Sequence, residues 1–162
     1  MSDLLILIPI FYIALLAIPL AITDVREHRL PNPMTLSAIL VTLVSLCAAA
    51  FFPILLPSAL SGLLAGGSTF ALGLLLAKKD AIGMGDVKLL TSLNAIASYF
   101  SPLLMIFSLT SGLVLATLVS SLLMLTKKIT LKQSLPLGPY LLIGFFVCVG
   151  PSAFLLTGEA LS

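Results

Sequence analysis

The sequence predicts an all-α, polytopic membrane protein with six transmembrane helices and both termini non-cytoplasmic, forming a single membrane-embedded domain over residues 1–162. Three observations point there. The chain is 60% hydrophobic and 9% charged, with a mean hydropathy of +1.25, which leaves too few polar side chains to coat a water-facing globule. Its apolar residues fall into runs of about 20, the length a helix needs to cross a hydrocarbon core of about 30 Å. All eight Lys and Arg residues fall on one side of a six-span arrangement.

The first run covers residues 4–23. Met1-Ser2-Asp3 supplies no basic n-region and no small-x-small cleavage site is evident, so this run is read as a span rather than a cleaved signal. The second, 34–52, follows Pro31-Asn32-Pro33, a rigid entry in which proline's fixed φ suits a helix start. The third, 54–77, carries Ser58, Gly62 and Gly66 at four-residue spacing. Such a stripe of small residues permits close helix approach, and its expected use is packing within the chain. The fourth, 81–100, reaches spanning length only by including Gly83-Met84-Gly85-Asp86, so it should begin as an irregular turn. Runs 102–126 and 137–156 complete the set, with no internal repeat, low-complexity tract or soluble domain.

Orientation follows from the basic residues. Arg26 and Arg29 lie between spans one and two, Lys78 and Lys79 between three and four with Lys88 just beyond, and Lys127, Lys128 and Lys132 between five and six. Basic residues in short loops mark the cytoplasmic face, and the opposite side carries only Asp3 and Glu159. The bilayer and its anionic headgroups are partner enough for these clusters, which do not point to nucleic acid.

Two aspartates stand out against this background. Ionisable groups at membrane depth are costly, which makes them candidate functional sites. Each alone has an ordinary explanation: Asp86 as an N-cap of the fourth helix, Asp24 as the first polar residue past a span, offset by Arg26. Together they share a membrane face and a shallow depth, Asp86 lying about five residues in from Ala81, or roughly 7 Å at about 1.5 Å per residue. Two carboxyls within hydrogen-bond reach hold one proton between them. That state suits peptide hydrolysis, because the ionised member takes a proton from water while the protonated one polarises the scissile carbonyl. Gly83 and Gly85 would let the backbone bend and an extended substrate approach closely.

A proton-coupled transporter or channel is the reading from another class. Its sites lie near the midplane between inverted repeats, however, whereas these carboxylates lie near one face of a chain without such repeats. Lys88 is off the face of Asp86, either acting on it through charge or snorkelling to the interface. His28, among Arg26, Glu27 and Arg29, reads as an interfacial side chain. Cys47 and Cys148 are isolated, lack zinc-type spacing and read as small buried hydrophobes.

Gly83-Met84-Gly85-Asp86-Val87-Lys88-Leu89-Leu90 resembles the GxGD segment of type IV prepilin leader peptidases, membrane aspartyl proteases related in motif to preflagellin peptidases and presenilins. Asp24-Val25-Arg26-Glu27-His28-Arg29-Leu30-Pro31-Asn32 resembles that family's first aspartate with its basic loop and Ile/Leu-Pro-Asn. Leu135-Pro136-Leu137-Gly138-Pro139-Tyr140 resembles its Pro-Phe-Gly-Pro segment, with Leu137 in place of phenylalanine. The resemblance implies that Asp24 and Asp86 are catalytic, that Gly83, Gly85, Lys88, Pro136, Gly138 and Pro139 belong to the motif or the approach of substrate, and that no cofactor or metal is needed. Implied substrates are prepilins or pseudopilins, cut at the cytoplasmic face of a bacterial inner membrane between a short basic leader and a hydrophobic helix. A non-catalytic pilus assembly factor on the same fold is the remaining alternative.

Longer members carry a cytoplasmic cysteine-bearing insertion and also methylate the new pilin terminus. This chain passes from Met1 directly into its first run, as do the peptidases of tight-adherence (Flp-type) pilus systems. Peptidase without methyltransferase activity, zinc or S-adenosylmethionine is therefore expected. Asn94 falls where a small residue, commonly glycine, is expected.

Overall fold

A computed structural model describes residues 5–27, 30–79, 82–125 and 136–161. Among them every long element is helical: α1 (Leu7–Glu27), α2 (Asn32–Ala50), α3 (Leu56–Ala77), α4 (Met84–Phe100), α5 (Pro102–Leu125) and α6 (Gly138–Leu161). These match the six apolar runs, with shifts at the ends. α1 continues past the apolar run to Glu27, which draws Asp24 into the helix. α3 starts at Leu56 with a proline in its first turn, after a short turn at residues 51–55. α4 starts at Met84, so Gly83 occupies the N-cap in extended conformation and Asp86 lies inside the first turn instead of capping it.

Five helices, α1, α2, α3, α5 and α6, are long and apolar enough to cross a membrane. They turn large apolar side chains outward, among them Phe11, Leu15, Leu64, Leu118, Val147 and Phe154. Such a surface suits lipid tails, which are as apolar as leucine. α4 is the exception because α2, α3, α5 and α6 pack around it. It packs most heavily on α3 and also on α2, α5 and α6, and every residue from Ser92 to Tyr99 is buried. A helix enclosed on all sides has protein for its solvent, so it carries polar groups that find partners there.

The α3–α4 contact is close because α3 presents glycines to it. A Cβ on Gly62 would stand 2.8 Å from the Ala95 carbonyl oxygen, one on Gly66 3.0 Å from the Ala95 Cβ, and one on Gly73 would run into a Val87 methyl. The small-residue stripe thus packs within the chain, as expected, and extends to Gly73. Polar pairs lock the same contact. Ser61 Oγ donates to the Ser98 carbonyl at 2.9 Å, and Asn94 Nδ2 donates to Thr69 Oγ1 at 3.1 Å. The second bond explains how a buried asparagine is accommodated in place of a smaller residue.

α5 and α6 cross backbone against backbone. A Cβ on Gly144 would lie 2.5 Å from the Gly112 nitrogen and 2.8 Å from the Ser108 carbonyl oxygen. Cys148 is half-buried at this seam, its Sγ 3.7 Å from Ser111 Oγ. Cys47 corrects the expectation of burial: it is exposed on the outer face of α2. In a bilayer an apolar side chain is satisfied by lipid as well as by a protein core, so isolation in an apolar run does not imply an interior position.

Candidate active site

Three sequence segments far apart in the chain meet at one end of the bundle. α1 brings Asp24, only 4% exposed. α6 begins at Gly138, and the bond from Leu141 N–H to the Leu137 carbonyl at 3.1 Å closes its first turn. The Gly138 N–H is therefore one of the amides that a helix start leaves without an intrahelical acceptor. It donates to Asp24 Oδ2 at 2.8 Å, in a buried bond. The positive end of the α6 dipole reinforces this attachment to a carboxylate. Gly138 is also required by space, since a Cβ there would lie 2.8 Å from the same oxygen. Pro139, at the second helical position, needs no acceptor of its own, and with Pro136 it brackets the glycine.

α4 brings Asp86. Its Oδ2 lies 3.2 Å from where a Cβ on Gly83 would stand, so the first glycine of the segment leaves room for the carboxylate. Its Oδ1 is buried with no hydrogen-bond partner among the described residues. The carboxylate lies within coulombic reach of Asp24. Buried polar atoms without partners are rare and costly, and one on a carboxylate near a second acid is a place for a water or a substrate group. The pair can perform general acid–base chemistry on a water held between them.

The remaining motif residues separate by role. Gly85 faces the α1–α2 connection: a Cβ on it would stand 2.7 Å from Leu30 Cβ and 3.2 Å from the Leu30 carbonyl oxygen. Lys88 is engaged elsewhere, its Nζ donating to Asn32 Oδ1 at the start of α2. Leu30 also reaches α6, with a δ-methyl 3.3 Å from the Cβ position of Gly138. Sequence reasoning quoted Leu30 only as part of a motif and gave it no role; its one signal is a large apolar residue between a basic loop and a proline. His28 and Arg29 lie outside the described residues, as do Lys127, Lys128 and Lys132.

Between α1 and α6 lies an apolar groove of about 460 Å3 lined by Ala17, Ala21, Pro139, Leu142 and Phe146. Among the described residues no three His, Cys, Asp or Glu side chains cluster as metal ligands. No curated protein and no solved structure matches the chain. The model of the type IV leader peptidase family matches residues 10–149, a stretch that takes in Asp24, the glycine segment before Asp86 and the start of α6, and the chain belongs to that family.

Proposed function

We propose that this member of the family is an aspartyl endopeptidase of the bacterial inner membrane that removes the short basic leader of prepilin-like or pseudopilin-like proteins at the cytoplasmic face. The proposal takes residues 1–162 as one membrane-embedded domain of six spans, α4 included, with both termini outside the cytoplasm. Asp24 and Asp86 are the catalytic residues. Gly83, Gly85, Lys88, Pro136, Gly138 and Pro139 shape the site around them. The observation that carries the reading is the pairing of a carboxylate anchored by the Gly138 amide with a second carboxylate that has an unpartnered oxygen, within coulombic reach of one another.

In the proposed reaction one carboxylate takes a proton from a bound water as the water oxygen attacks the scissile carbonyl carbon. The other carboxyl gives its proton to the carbonyl oxygen, producing a gem-diol. The carboxyl that took the water proton then gives it to the amide nitrogen while the other carboxylate takes a proton back from a gem-diol hydroxyl, so that the carbon–nitrogen bond breaks and the shared-proton pair is restored. The leader leaves with a new carboxylate and the pilin keeps a new amino terminus. The reaction ends at hydrolysis, without methyl transfer to that terminus.

Asp24→Asn and Asp86→Asn should each remain inserted and abolish cleavage, because either change removes one half of the pair. The measurement is leader removal from a co-expressed prepilin, scored by mass beside the wild-type chain. Substantial cleavage by either variant would end the two-aspartate mechanism. An intact prepilin in every lane, over several substrates with insertion verified, would instead favour the non-catalytic alternative.

A further inference from the structure

The two carboxylates ride on helices that barely touch. Among the described residues α1 and α4 share little direct packing, so the separation of Asp24 from Asp86 has to be set through other elements. The contacts trace one such route. Asp24 is tied to the Gly138 amide; the bare α-carbon of Gly138 receives a δ-methyl of Leu30; the β-carbon and carbonyl of Leu30 lie on the bare α-carbon of Gly85; and Gly85 is bonded to Asp86. Each glycine on this route lacks the atom that would push Leu30 or Asp24 away. Two residues beyond Leu30, Asn32 accepts from Lys88, two residues beyond Asp86. Pro31 lies between, its φ of −64° fixed by its own ring, so Leu30 and Asn32 meet α4 as one rigid clip.

We infer that Leu30 is a positioning residue for hydrolysis: its side chain is the spacer that sets the distance between the Asp24 and Asp86 carboxylates, and the Asn32–Lys88 bond holds that spacer in register on α4. The inference rests on the assignment of Asp24 and Asp86 as the catalytic pair. Leu30 touches neither reacting group directly. It works by filling the interval between two helix starts, α4 and α6, each of which fixes one acid. Close packing transmits such a dimension because its atoms have no free space in which to shift. A displacement of 1 Å at a reacting centre can cost about 100-fold in rate.

The test combines kinetics with a spacing measurement that needs no catalysis. Leu30→Ala should lower kcat for prepilin cleavage by about 10-fold to 100-fold, with KM within about twofold of the wild-type value. Leu30→Met, which conserves volume, should keep most of the rate. Leu30→Val, a smaller truncation, should fall between them and stands in if the alanine variant does not insert. In parallel, Asp24→Cys and Asp86→Cys are combined in a background with Cys47→Ser and Cys148→Ser, and the pair is captured with bifunctional thiosulfonates of graded length. With Leu30 present, one short linker should dominate; with Leu30→Ala, capture should spread to longer linkers. An unchanged linker profile, or a raised KM with kcat intact, overturns the spacer role. A shifted linker profile, with no prepilin cleaved by the chain that retains Asp24 and Asp86, overturns the protease reading instead and leaves the spacing function of Leu30 intact.

Discussion

Asp24 is held by a backbone amide that lies 114 residues further along the chain. That bond makes Gly138 a sharp point of intervention. Gly138→Ala places a methyl 2.8 Å from Asp24 Oδ2, so either the carboxylate or the start of α6 must give way. Alanine favours helix over glycine by as much as about 1 kcal/mol, so thermal stability should change little while cleavage falls by about 100-fold. Melting curves and cleavage rates measured on the same preparation check this, and a parallel loss of both would reduce Gly138 to a packing residue. The residue scale is also where the sequence was most and least legible. The two aspartates stood out as candidates only as a pair on one membrane face, because each alone had an ordinary explanation at a span end. The donor to Asp24 was hidden, because a backbone amide has no side-chain signature. Leu30 was hidden for the opposite reason, as one more leucine in a chain dominated by apolar residues.

At the scale of the elements, hydropathy located all six helices but read their ends by lipid contact instead of by backbone geometry. α1 therefore extends past its apolar run, and Asp24 sits inside a helix. α4 is the larger lesson. Its run reached spanning length only by including Gly83-Met84-Gly85-Asp86, and the polar residues Ser92, Asn94 and Ser98 within it are partnered or enclosed at the centre of the bundle. The Asn94–Thr69 bond can be weighed directly. A double-mutant cycle with Asn94→Leu and Thr69→Val should return a coupling of about 0.6 to 1.7 kcal/mol in lipid, the range found for polar pairs between membrane helices. A coupling near zero would mean that shape alone holds α3 to α4, through Gly62, Gly66 and Gly73.

For the whole molecule, the basic residues and the proposed mechanism require the same orientation, with the ends of α1 and α3 and the starts of α4 and α6 toward the cytoplasm. A reporter fused after Ser162 should be active only outside the cytoplasm, and one inserted at Lys128 only inside it. The reverse pattern would place the carboxylates on the wrong side for a cytoplasmic leader. The meeting of three segments at one end of the bundle follows from topology: each lies at a helix end on the same side, so a six-helix pack needs only the correct neighbours to bring them together. Which helices are neighbours was not legible, since it depends on glycine contacts that sequence spacing does not distinguish. Helices leave the translocon for lipid according to their own hydrophobicity, and α4, carrying Asp86, Lys88 and Asn94, is the poorest candidate of the six. Its polar partners on α3 are synthesised immediately before it, whereas α5 and α6, which cover other sides, are still inside the ribosome. On the proposed six-span reading, α4 thus enters as the second arm of a hairpin with α3, partly uncovered, and Asp24 gains its amide donor only when α6 delivers Gly138.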